Sequence, residues 1–310
     1  MPSPSALACP ASLKGVLSNV DAAAALALGF EQAGVAAVAL PVADGGDGTI
    51  AALCDDVGHF DVHDAFGGRR SALVGRHADA MVVEAAQVLP LDPWRLDVFA
   101  ASSRGLGELI SKLTAPRLIV GLGGTATMDG GEGLLEVLGD LPAPTTVLCD
   151  VSTTYYDAPA AFGPQKGATP QDVAELERRF RANEQLAPFV ELPGSGAAGG
   201  LGAALAALGA ELVPGAPAIL ELLGFDAAGA DLVVTGEGRV DATTAEGKAP
   251  AVVAARCASA GTPCVVFGGM VDAPLAGVEC VRLSGVPERA AADLVELGAR
   301  LGARLLDAAG

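Results

Sequence analysis

Short apolar runs that stop at glycine-bearing turns set the rhythm of this chain. Residues 6–10, 35–42, 117–120, 145–149, 232–234, 264–267 and 279–283 are rich in Val, Leu, Ile and Ala and stop at or just before Gly, Asp or Pro, which predicts buried strands. Between them apolar positions recur at helical spacing over 19–34, 96–113, 171–183, 251–260 and 289–306. The first of these helices has Ser18 or Asn19 as its cap and Gly34 just past its end. Residues 194–210 read as a glycine- and alanine-rich turn followed by a helix whose small side chains suit tight packing. Residues 61–64, the turn at Gly67 and Gly68, and 80–84 have another character, that of antiparallel strands. Gly105 and Gly107 fall inside the 96–113 helix, where each costs roughly 1 kcal/mol against alanine. They predict a close backbone approach there, with a ligand among the candidates.

The most informative segment is 231–250, DLVVTGEGRVDATTAEGKAP. Its apolar run breaks at Thr235, Gly236, Glu237 and Gly238, which predicts a turn at a strand's carboxyl end, where open α/β sheets place ligands. The last third alternates strand and helix, as a parallel sheet requires. The expected architecture is therefore α/β with two domains: a doubly wound, mostly parallel sheet domain from residues 1–58 and 229–310, and an inserted mixed α/β domain with antiparallel strands over 59–228. A cleft is expected between them.

Composition narrows the partners. The 310 residues are 51% hydrophobic, but the excess is largely alanine, and 194–210 is too short and too rich in small residues to span a bilayer. The net charge of −18 repels phosphate backbones and anionic lipid, so neither nucleic acid nor a membrane is an expected partner. A small-molecule substrate is expected instead; a homodimer is left open. The six cysteines form no CxxC pair and no zinc spacing, and the N-terminal MPSPSALACP has no basic region before its apolar residues. Both features point to the cytoplasm. His59, His63 and His77 make no convincing metal set.

Only four of the nineteen basic residues are lysines, and Lys14, Lys166 and Lys248 each adjoin a glycine. Lysine at a glycine-lined turn is a compact point charge for phosphate. Asp44 and Asp47 flank Gly45 and Gly46, and the two carboxylates would repel phosphate unless Mg²⁺ or a lysine lay between them. Together these turns form an inventory for holding a polyphosphate with Mg²⁺, chemistry that needs positioning and charge neutralisation above all. The usual kinase loop is absent, since Ala242 and Ala249 stand where glycine and Ser or Thr would be needed around Gly247 and Lys248. Gly121, Gly123 and Ala126 fit a loose dinucleotide fingerprint, a weak match without its acidic partner.

Taken jointly, the motifs resemble those of the glycerate kinases that phosphorylate the 2-hydroxyl. The PVADGGDGT beginning at Pro41 is similar to their PVADGGEGT, and residues 121–131 to their GIGGSATNDGG. FGPQKGAT from Phe162 is unchanged, GAAGGLG begins at Gly196, and 231–250 resembles DLVITGEGRID…GK.P. Ser12 and Lys14 fall on DSFK…S, and the matches run in family order from residue 10 to about 270. The resemblance implies two α/β domains, ATP and Mg²⁺ as cofactors, and transfer of the γ-phosphoryl group to the 2-hydroxyl of D-glycerate. It implies Lys14 and Asp150 as catalytic residues, Lys14 neutralising the phosphate or the substrate carboxylate and Asp150 orienting or deprotonating the hydroxyl. The substrate- and ATP-binding candidates are Ser12, Asp44, Gly45, Gly46, Gly123, Gly124, Thr125, Asp129, Lys166, Gly236, Glu237, Gly238, Arg239, Asp241 and Lys248, and the metal candidates are Asp44, Glu237 and Asp241. The chain departs from the pattern at Ala11 and Leu13 (Asp and Phe in DSFK), at Met128 (Asn), and after Asp150, where DVxNPL becomes DVSTTY. A second reading follows from these departures: a non-catalytic or altered-specificity relative that binds a nucleotide or organic acid as a sensor or partner subunit.

Overall fold

The computed structural model describes residues 4–309. Among them the strands are β1 Ser5–Pro10, β2 Ala36–Ala39, β3 Asp56–His63, β4 Arg69–His77, β5 Ala80–Glu84, β6 Arg117–Gly121, β7 Thr145–Cys149, β8 Glu211–Pro214, β9 Leu232–Val240, β10 Cys264–Val271 and β11 Glu279–Arg282. They form two sheets in two compact units, one of residues up to Ala43 and from Ile219 onward, the other Asp44–Ala218. No helix among the described residues is long and apolar enough to cross a membrane.

The first unit is built on a five-stranded sheet ordered β11-β10-β9-β1-β2, with every pair parallel. Leu232 and Val234 of β9 enter a core with Leu26 and Phe30 of the helix Asn19–Gln32 and with Leu294, Leu297 and Leu301 of the helix Ala290–Ala309. Strand alternation turns Val233 to the opposite face, and the helix Ala249–Ala260 packs against β9 and β10. Ser18 caps the helix Asn19–Gln32, its side chain accepting from the Asp21 N–H at 3.0 Å. The two long helices cross at glycines: a Cβ on Gly29 would strike the Val295 carbonyl, and one on Gly298 the Leu26 carbonyl.

The segment at Thr235–Gly238 is not a turn. β9 runs through it to Val240, in register with a β10 that continues past Gly268 and Gly269. The glycines serve close pairing here: a Cβ on Gly236 would collide with Phe267, and one on Gly269 would lie 2.8 Å from the Gly238 carbonyl oxygen. Small residues in two neighbouring strands thus let the strands continue where the sequence pattern signals a break.

The second unit carries the sheet β3-β4-β5-β6-β7-β8. β3 and β4, and β4 and β5, are antiparallel, and the remaining pairs are parallel. Its core gathers Val83, Val120 and Val147 of the central strands with Leu106, Leu109, Ile110 and Leu134 from the helices Arg104–Ser111 and Glu132–Val137. The expected 96–113 helix is shorter, Arg104–Ser111. Asp97 Oδ1 accepts from the N–H groups of Phe99 and Ala100 at 3.0 Å and turns the chain instead. Gly105 and Gly107 do mark a close approach, but to the unit's own backbone: a Cβ on Gly105 would strike the His63 carbonyl, and one on Gly107 would sit 3.0 Å from that of Leu134. β8, short and ending on Pro214, has no counterpart in the sequence reading.

Candidate functional site

The predicted residues fall into two sets, one in each unit. In the parallel unit, β1 leads onward to β2 on one side while β9 leads to β10 on the other, so the carboxyl ends of β1 and β9 form a topological switch point. Pro10 pairs with Gly236 there, and the Ala11 N–H donates to the Gly236 carbonyl at 2.9 Å. Ser12 and Lys14 follow immediately. Lys14 lies exposed on a turn closed by the Leu13–Leu17 bridge, and a Cβ on Gly238 would be 3.6 Å from its main-chain nitrogen.

Beyond the switch point Glu237 is held from two sides. Thr244 Oγ1 donates to its Oε1 at 2.8 Å, and Lys248 Nζ is 3.8 Å from its Oε2. Asp241 caps the 3-10 turn Ala242–Glu246, accepting from the Thr243 N–H and hydroxyl, and these bonds hold its carboxyl below the usual range. Arg239 points to the surface, where it pairs with Asp272 at 2.6 Å.

In the inserted unit the glycine loop after β6 and the residue after β7 face one cavity of about 70 Å³. Gly123, Gly124, Thr125, Asp150 and Lys166 line it, as do Phe162, Gln165 and Ala198, which the sequence did not single out. All three had a signal, since they lie in motifs quoted above, FGPQKGAT and GAAGGLG. Gly45 and Gly46 reach the same loop: the Gly123 N–H donates to the Gly45 carbonyl at 3.2 Å, and a Cβ on Gly123 would lie 2.6 Å from Gly46 Cα and 3.1 Å from Asp150 Oδ2. Asp44 Oδ1 accepts from the Gly46 N–H at 3.3 Å. No helix opens at this loop as a dinucleotide fold requires; the next one starts at Glu132.

Lys166 is the unusual group. It is only 4% exposed, and its Nζ donates to the Thr127 carbonyl at 2.9 Å. Burial pulls its pKa down from 10.5 to about 8, against the pull of Asp150 and Asp129, which favour the charged form. Opposite it, Ala198 takes φ 53°, a strained conformation for a residue with a Cβ, and Thr127 Oγ1 donates to its carbonyl at 3.1 Å. Asp129 faces elsewhere. Its Oδ2 accepts from the Ser103 N–H and hydroxyl at 2.7 and 2.8 Å, and its Oδ1 from the Gly131 N–H.

A cavity with a buried ammonium, a carboxylate and glycine N–H groups at strand carboxyl ends can hold an anion and activate a hydroxyl beside it. Mg²⁺ typically needs one or two carboxylates with phosphate oxygens completing its shell. Among the described residues no group of three or more His, Cys, Asp or Glu is placed to cage a metal. Asp44, at the edge of the Gly46–Gly123 contact, fits the lighter requirement; Glu237 and Asp241 already serve donors of their own unit.

The profile of the Glycerate kinase family matches residues 6–141 and 142–290. The glycerate kinase of Bacillus subtilis is 32% identical, covering 85% of this chain and 84% of its own. The glycerate 2-kinase of Escherichia coli K12 is 33% identical, covering 79% and 80% respectively. A crystal structure described as that of a candidate glycerate kinase 2 from Salmonella typhimurium LT2 superposes with a TM-score of 0.82 at 29% identity, over 99% of both chains. The chain belongs to the glycerate kinase family.

Proposed function

We propose that the chain is a kinase that transfers the γ-phosphoryl group of ATP to the 2-hydroxyl of D-glycerate, giving 2-phosphoglycerate. The observation that carries this reading is the cavity in which buried Lys166 and Asp150 stand across a glycine loop. The N–H of Gly124 and the Lys166 ammonium neutralise oxygens of the transferring group, and Thr125 offers a hydroxyl. Asp150 accepts the proton of the attacking hydroxyl, a role in which a carboxylate supplies about a hundredfold to ten-thousandfold. Lys14 and Lys248 supply further positive charge for phosphate or for the substrate carboxylate, with Ser12 beside Lys14 as a donor. Mg²⁺, carried in by the nucleotide and held by Asp44, would screen the phosphate charge.

An assay of ADP release from Mg-ATP and D-glycerate, with the product identified by phosphorus NMR, tests the reading. Phosphate on the 2-oxygen is expected, and the 3-phosphate would refute the position assigned. The Asp150→Asn variant is expected to keep nucleotide affinity and lose turnover. Ala11 and the buried Met128 favour one alternative, a nucleotide-binding sensor without turnover. Tight binding of an ATP analogue with no ADP release from any hydroxy acid would establish it.

A further inference from the structure

A second cavity in the inserted unit, of about 90 Å³, shares no lining residue with the one holding Lys166. Met128, Leu176 and Phe180 form apolar walls, and Tyr155, Asp129 and Glu132 supply polar atoms. Tyr155 is fully buried and stacked on Phe180 with ring centroids 4.5 Å apart. Its hydroxyl has no hydrogen-bond partner among the described residues, although the Asn183 side chain lies nearby. A buried hydroxyl left unpaired costs free energy that a ligand can return.

The polar groups decide what that ligand is. Burial, then the charges of Glu132 and Asp129, push the phenol's pKa up, so it is neutral and sits in a negative potential. Asp129 is occupied by Ser103 and its own loop, which leaves exposed Glu132 as the adjustable anion. Arg179 at the rim is already matched, pairing with Glu175 at 2.9 Å and lying over Phe99.

We propose that this cavity binds a short alkylammonium cation, the ammonium donating to the Tyr155 hydroxyl and the Glu132 carboxylate and the carbon stem lying against Met128, Leu176 and Phe180. Water satisfies the hydroxyl but gains nothing from the apolar walls, and an anion meets two carboxylates.

The test titrates the full-length protein, without nucleotide or glycerate, with n-propylammonium and with n-propanol as its neutral isostere, read by ligand-observed NMR. Its failure therefore leaves the kinase reading untouched. Saturable propylammonium binding with Kd on the order of 1 mM is expected. Propanol should bind roughly fivefold more weakly, for want of a charge-assisted hydrogen bond. Glu132→Gln, at an exposed position, should weaken propylammonium about fivefold and leave propanol unchanged. Tyr155→Phe should weaken both ligands, and Met128→Phe should fill the cavity and abolish both. Absence of saturation, equal affinity for the two ligands, or propylammonium binding indifferent to Glu132→Gln would each overturn the proposal. Circular dichroism verifies that the two core variants fold; should either fail, Glu132→Gln decides.

Discussion

Lys166 carries the sharpest prediction of any single residue because its two consequences have opposite signs. Its pKa falls from 10.5 to about 8 on folding, so the native state binds fewer protons than the unfolded chain between those values. Stability conferred by this group therefore rises with pH across that window, as the penalty for burying its charge is lifted. Affinity for an anion moves the other way, since the neutral amine has no charge to offer. Melting temperature and ATP-analogue affinity, each measured against pH, should diverge above about 8, and Lys166→Met should flatten both contributions. The same variant should lower kcat about a hundredfold to a thousandfold, the loss seen when one preorganised charge stabiliser is removed. An affinity that strengthens with pH in wild type would contradict the assignment of Lys166 to the phosphate.

Elements were legible in the sequence wherever local chemistry decided them. β5 at Ala80–Glu84 and β7 at Thr145–Cys149 match the apolar runs residue for residue, and the Ser18 cap fixes where the first long helix starts. The failures occurred where a distant partner overrode the local signal. Gly236 and Gly238 read as a turn because glycine leaves strands in the absence of a neighbour, yet β10 pairs along this stretch and sits close enough to Gly236 to need it. The helix expected from residue 96 was cut back by Asp97, and the engagement of Asp129 by Ser103 could not be read from either segment alone. The loop motifs drew attention to Gly123, Gly124, Thr125 and Lys166 of the cavity wall, but not to Ala198, which lines it in a left-handed conformation. The crossing of the helices Asn19–Gln32 and Ala290–Ala309 gives the prediction at this scale. Gly298→Ala drives a methyl into the Leu26 carbonyl, so overpacking should cost about 1–3 kcal/mol. The urea midpoint should fall with the m-value unchanged, and an unaltered midpoint would mean the helices part freely.

On the scale of the whole molecule, a net charge of −18 sets acidic side chains against one another. The exposed ion pairs, such as Arg117 with Asp79 and Arg304 with Glu279, contribute little and weaken in salt. The uncompensated carboxylates outnumber them, so screening of repulsion should dominate. Melting temperature should rise by a few degrees between dilute buffer and about 0.3 M sodium chloride, where the Debye length falls below 10 Å. A decrease would show that the ion pairs matter more than the surplus. The discontinuity of the parallel unit has its own consequence during synthesis. β1 must pair with β9, and the hydroxyl of Thr235 binds the carbonyl of Cys9 across 226 positions of chain. A ribosome therefore releases β1 long before β9 exists, since the whole inserted unit is synthesised between them. Paired with β2 on one side, β1 keeps its other edge open until β9 is made, and that apolar edge is one a chaperone would have to cover.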